Sequence, residues 1–445
     1  MAAPAAIEQP TRPEDRFVAA FEMQDGHTLN GSNANVQGLR REAIQAFAEL
    51  GIPTRKAEAW KYTNIEKVLR HDYKLSPAGA PAKVLRQEVE RRRIPGLEAH
   101  VVVLVNGRFD PDLSDVRSLP KGVLVSGFAQ ASEAHPDLVN RHFSRYADFR
   151  SEALTALNTA FTQDGAFVYV PRGVALDRPV HVVSITDASE DVLVQPRHLF
   201  VAEEGAVLAV VQSDHAMDHR KTLVNAVTEV YVGARACVDC YKLQDAGDDA
   251  SAIDTTQVYQ EAGSACSVYT ATLSGGVVRN NLNFLPNGEQ CESHLYGLCL
   301  GHGQMHVDNH TLVDHARPEC QSNELYKNIL DGYSVGVFNG KVFVRRDAQK
   351  INAYQSNKNI VLTDTAKIYA KPELEIYADD VRCSHGATTG QLDPEAVFYL
   401  RSRGIPETQA RAMMLLAFAR DVLDNVKLAP LRQLLDEAVQ ARFSG

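Results

Sequence analysis

The chain has 445 residues, 44% hydrophobic and 23% charged, ordinary for a globular protein and long enough for two or three structural units. Its 46 basic and 56 acidic side chains leave a net charge of −10, which argues against a phosphate-neutralising nucleic-acid surface. No stretch approaches the roughly 18 consecutive apolar residues of a membrane span, and seven cysteines, an odd number, imply free thiols rather than a disulfide framework.

Residues 1–16 read as a short disordered leader, Ala- and Pro-rich with Glu8, Glu14 and Asp15. The leader has neither the hydrophobic core of a secretion signal nor the acid-poor character of a transit peptide, so a cytoplasmic location is expected. Residues 17–160 are predicted to be mostly helical. Leu39, Ile44, Phe47, Ala48 and Leu50 suit one face of an amphipathic helix that Gly51-Ile52-Pro53 stops. The sole tryptophan follows, in Glu58-Ala59-Trp60-Lys61-Tyr62-Thr63. Arg91-Arg92-Arg93, flanked by Glu88 and Glu90, reads as a solvated helix end. Val101 to Val105 predicts a strand turned by Asn106-Gly107, and helical patterning returns from Leu138 to Phe161.

Residues 161–390 are different. Helical periodicity gives way to short Val/Ile/Leu/Tyr/Phe/Thr runs between Gly and Asn turns. Four segments align on Gly205, Gly233, Gly263 and Gly288, and three residues after each stands Leu208, Ala236, Cys266 or Cys291. A loose period of this length in β-rich sequence is the mark of a parallel β-helix, whose coils stack because none can bury its own inner face. A sandwich or barrel would show turns at shorter spacing. Residues 391–445 are helical again: Asp393-Pro394-Glu395 opens one helix, Gly404 ends it, Pro406-Glu407 opens a second, and a third follows Pro430. The second helix's Met413-Met414-Leu415-Leu416 run, with Phe418, either packs the helices together or offers a partner surface.

Three groups of residues are candidates for chemistry. Cys237 and Cys240 form a C-x-x-C, but on a strand they point to opposite faces and do not converge. His306, Asp308 and His310 share one strand face, a donor set suited to Zn, Fe or Mn. Side chains two apart nevertheless spread about 7 Å, which favours a structural or interfacial polar ladder. Cys383 and His385 also share a face, beside Asp379-Asp380, where the β region gives way to helices. Two ligands are too few for a closed site, so others must come from elsewhere. Phosphate loops, dinucleotide fingerprints, nucleophile elbows and zincin motifs are missing from the sequence, so ATP-driven work falls to a partner. A β-helical polysaccharide-active enzyme and a metal-dependent enzyme on the histidine ladder are the alternative classes.

The run Ser334-Val335-Gly336-Val337-Phe338-Asn339-Gly340-Lys341-Val342, then Ala353-Tyr354-Gln355-Ser356-Asn357, Asp379-Asp380-Val381-Arg382-Cys383-Ser384-His385-Gly386 and Phe398-Tyr399-Leu400-Arg401-Ser402-Arg403-Gly404, resembles the SufB/SufD family of iron–sulfur cluster assembly scaffolds, and its SufD-type members in particular. The resemblance covers most of residues 160 to 445, with Trp60-Lys61-Tyr62-Thr63 as its N-terminal counterpart. It implies a mainly β fold, a right-handed parallel β-helix between two helical regions. It also implies a non-enzymatic scaffold that works with a SufB-type paralogue and a SufC-type ABC ATPase docking on the C-terminal helices, and it leaves open whether the isolated chain is a monomer or a homodimer. By the same resemblance, Cys383 and His385 match the positions at which a transient iron–sulfur cluster or iron is held between subunits. Whether a flavin takes part is left open, at the level of the complex, and no cofactor is expected to be held tightly by this chain alone.

Overall fold

A computed structural model describes residues 12–24, 33–75, 84–217 and 220–443. From Val180 onward the chain steps back and forth between two sheets. One takes Arg197–Ala202, Thr222–Val232, Ala250–Gln260, Val277–Pro286, His306–His315, Val335–Val344 and Lys367–Ile376. The other takes Val180–Thr186, Val207–Ala216, Cys237–Asp245, Ala265–Ser274, Glu292–Gly301, Gln321–Leu330, Ile351–Val361 and Val381–Gly390. Neighbours in each of these series pair in parallel, so every turn of the chain lays one strand on each sheet. This is the expected parallel β-helix.

The repeat in the sequence follows the coils but not their register, which pairs Leu208 with Val238, Cys266 and Ser293, so that Ala236 and Cys291 sit two positions earlier. Leu208, Ala236, Cys266 and Cys291 are all buried, on neighbouring positions of the inner wall. The glycines before them answer two demands at the corners. Gly263 has φ +68°, which side chains on Cβ disfavour, whereas a Cβ on Gly288 would lie 2.0 Å from Ala262 N of the coil beneath. Inside, Val230, Val258, Phe284 and Val313 stack into a continuous apolar wall. Burial of each such side chain contributes about 1.5–3 kcal/mol.

The N-terminal region is less purely helical than its sequence suggests. Helix Ala34–Leu50 does run to Gly51, and Phe17, Phe21, Phe47 and Trp60 pack with Leu157 of Ala153–Ala160. Residues 1–11 of the predicted leader lie outside the described residues, but Asp15 and Arg16 already belong to helix Asp15–Gln24. The run from Leu138 to Phe161 is two helices, Pro136–His142 and Ala153–Ala160, because Ser144 turns the chain at φ 58°. His100–Val105 joins the second sheet beside Val180–Thr186, so the solenoid begins inside the region expected to be helical. Asn106 and Gly107 both have positive φ, the hairpin turn that returns Arg108–Phe109. The fully buried pair Arg197–Glu229 (2.6 Å) joins the two regions, for Glu229 also accepts from the backbone N–H groups of Ser144, Tyr146 and Ala147. Arg91 and Arg93 sit past helix Arg86–Glu90 and pair with Glu88 and Glu90, as a solvated helix end does.

Helices Pro394–Ser402, Glu407–Leu423 and Ala429–Phe443 close the chain. Asp393 caps the first by accepting from Glu395 N at 2.9 Å. The other two cover the outer face of the second sheet. There the Tyr241–Tyr269–Tyr296 stack meets Leu415, Val422, Leu431 and Leu435.

Candidate functional site at the open end of the solenoid

Two interior columns lead to the site. One rises through Leu208, Val238, Cys266, Ser293, Ser322 and Ala353 to Cys383; the other through Val210, Cys240, Val268, Leu295, Glu324 and Gln355 to His385. Period-two alternation puts both residues on the inner face. Among the described residues Val381–Gly390 is the last strand of its sheet and no further coil covers the pair: Cys383 is half-buried and His385 exposed. Cys383 rests on the cluster of Val342, Ile351 and Ala353, and this burial pushes its thiol up. It therefore carries its proton at neutral pH. One coil beneath His385, Gln355 Nε2 donates to Glu324 Oε2 at 2.7 Å, and burial pushes the Glu324 carboxyl up to about 7. Asp379 and Asp380 are exposed at the corner that enters the strand. Among the described residues no three His, Cys, Asp or Glu side chains gather closely enough to hold a metal ion.

The second candidate set is closed. His306, Asp308 and His310 do share one face of their strand, on the outside of the first sheet, and the N-terminal segment lies across them. Asp308, 1% exposed, is bound by Arg279 Nη1 at 2.7 Å, by the Thr63 hydroxyl and by His310 Nε2 at 3.0 Å. Burial alone would raise its carboxyl; the Arg279 guanidinium and His310 outweigh that and hold it well below the usual range. Thr63 Oγ1 also lies 2.9 Å from His306 Nε2, and the Arg279 guanidinium sits 4.1 Å above the Trp60 ring. A desolvated contact of that kind is worth about 2 kcal/mol. The carboxylate's partners here are a guanidinium, a hydroxyl and a histidine, an arrangement that fastens the N-terminal segment to the solenoid.

Two family models divide the chain between them. The description "SufBD protein N-terminal region" matches residues 11–182, and "SUF system FeS cluster assembly, SufBD core domain" matches residues 184–418. The chain belongs to the SufBD family. An iron–sulfur cluster assembly SufBD family protein of Synechocystis is 31% identical over 91% of this chain and 90% of its own length. The iron–sulfur cluster assembly protein SufD of Escherichia coli is 29% identical over 91% and 92%, and that of Bacillus subtilis 25% identical over 92% and 94%. The core model spans the solenoid with Cys383 and His385, and the N-terminal model contains the Trp60–Thr63 contact.

The helix at the end of this SufBD core carries the residues predicted for docking, and they divide. Leu415 is 1% exposed and faces the tyrosine stack, so it is packing rather than surface. Phe418 is half-buried under Lys327, whose Nζ lies 4.2 Å from its ring and donates to its carbonyl at 2.6 Å. Met414 is half-buried and Met413 exposed. Helix Pro394–Ser402 exposes Phe398 and Tyr399 beside a cleft of about 490 Å³ lined by Leu362, Leu392, Arg401, Glu407 and Arg411. Cys240 points into the solenoid while Cys237 faces outward, so the C-x-x-C is split as alternation requires. Sequence reasoning missed Arg279 and Glu324. The signal was the repeat itself: Arg279 pairs with Asp308, and Glu324 with Gln355, one coil on.

Proposed function

We propose that this chain is a SufD-type scaffold subunit of an iron–sulfur cluster assembly complex, and that Cys383 and His385 receive iron or a nascent cluster as cargo at its open end. The observation that carries this reading is the position of the pair: each ends an interior column, on the last coil among the described residues. A thiol and an imidazole are accepted ligands of iron–sulfur clusters, and two of them leave coordination positions for a second subunit. A SufB-type paralogue completing the site from the facing side meets that need; without it, two copies of this chain meet end to end. Loading displaces the Cys383 proton, which an exposed site releases to solvent. A two-residue hold keeps the cargo transferable. The exposed Phe398, Tyr399 and Met413 on the C-terminal helices form the docking face for a SufC-type ATPase, and a flavin, where one takes part, belongs to the assembled complex.

Complementation of a strain whose iron–sulfur enzymes depend on this system tests the reading. His385→Ala and Cys383→Ser should each lower iron–sulfur enzyme activity at least tenfold, as a rough guide from ligand-shell substitutions. Both proteins should fold normally and still co-purify with the paralogue and the ATPase. Full complementation by both variants would remove the site.

A further inference from the structure

Residues 54–64 cross the outer face of the first sheet from its middle to its last strand. Trp60 packs with Ile253 and under Arg279, which also donates to Ala59 O at 2.7 Å. Thr63 reaches His306 and Asp308. Tyr62 then stacks on Tyr369, with centroids 4.4 Å apart and planes within 14°, and Glu58 meets Lys371 at 3.1 Å. Tyr369 and Lys371 lie on Lys367–Ile376, the terminal strand of that sheet, which among the described residues has a neighbour on one side only. The segment is tied to itself by Arg55 Nε, which donates to Lys61 O at 3.0 Å.

We infer that this segment is a strap that holds the terminal coil in place, with Tyr62 and Glu58 as the positioning residues. A solenoid coil is stabilised by the coils on either side of it, and the last coil has lost one of the two. Its strand in the other sheet is Val381–Gly390, a few residues further along the chain, which presents Cys383 and His385. An end coil free to fray would scatter that pair and blur the surface a partner must match; the strap supplies from outside the contacts that a further coil would have made. The anchorage at Arg279 and Asp308 gives the strap a fixed base, so the Tyr62–Tyr369 stack acts on the end from a rigid point. The inference rests on the open end being the docking surface.

The test is a Tyr62→Ala/Glu58→Ala double variant of the full chain, which leaves the Trp60 and Thr63 anchors in place. Hydrogen–deuterium exchange should quicken about tenfold in peptides covering 367–376 and 381–390 and stay unchanged over 277–286. Affinity for the SufB-type paralogue should fall about fivefold or more, and Tyr62→Phe, which keeps the ring, should restore both. Unchanged exchange at the end coil overturns the strap. Faster exchange with unchanged affinity overturns its part in docking. Gly386→Pro, which disrupts the end strand directly, separates the two readings: if it too leaves the affinity unchanged, the open end is not the docking surface, and the exchange result stands by itself.

Discussion

His306-Val307-Asp308 and Cys383-Ser384-His385 carry the same pattern, two chemically able side chains flanking a spacer on one strand, and their fates are opposite. The first pair lies on the outer wall and is covered by the strap, and Asp308 has Arg279, His310 and Thr63 around it. The second lies on the inner wall, where coverage by the next coil is the rule, and is open because the coils stop there. Alternation tells which residues share a face. What covers that face is decided by stacking and by segments remote in sequence, and coverage decides between a fastening and a site.

The comparison is broken most directly at Asp308. Asp308→Ala leaves Arg279 buried without its carboxylate and should destabilise the protein by about 3–5 kcal/mol, read by denaturant unfolding. Protein that remains folded should still mature clusters. Selective loss of maturation at full stability would make the closed cluster a site after all.

Acid sharpens the same contrast. Burial holds His181 and His198 down to about 3, and His142, His215 and His315 down to about 4. Each binds its proton only on unfolding, so stability is lost as pH falls through the ordinary histidine range. Asp214, raised to about 6, and Glu324, raised to about 7, work the other way, since the folded state takes up their protons first. His100, His294, His306 and His310 are also held down and Glu152 and Asp164 also pushed up, so lowered histidines outnumber raised carboxyls, the net slope is positive, and stability should drop from about pH 7 to about pH 5.5. Thermal unfolding followed across that range checks the sign; a flat or rising profile would contradict it.

The smallest effect is expected at the histidines of the closed cluster. Replacing His306 and His310 together by Asn should cost about 1 kcal/mol or less and leave maturation in cells within a few-fold of normal. Complete loss of maturation with the complex still assembled would reverse the assignment.

Much of this architecture was legible in the residues. The glycine spacing gave the coil, the residues three further on gave the inner wall, and Asp393-Pro394 gave a helix start to the residue. The shared face of Cys383 and His385 followed from alternation alone. Their openness did not, because it depends on where the stack ends. The burial of Leu415 is not legible in the helix itself, because the tyrosine stack that covers it comes from three separate coils. The strap was invisible for the same reason: Glu58 and Lys371 are 313 positions apart, and no local pattern announces the meeting.

The two strands that end the sheets differ as edges. Lys367–Ile376 carries Lys367, Lys371, Glu373 and Glu375 and has Pro372 in its middle, which offers no N–H to an incoming chain. Charge and proline together are how natural sheets refuse to template growth. Val381–Gly390 carries Arg382 as its one formally charged residue apart from the histidine, no proline, and a run of Gly, Ala and Thr after the site. One edge is therefore guarded against fibre-like addition and the other is left receptive, so that a strand added here is steered to the side where Cys383 and His385 stand.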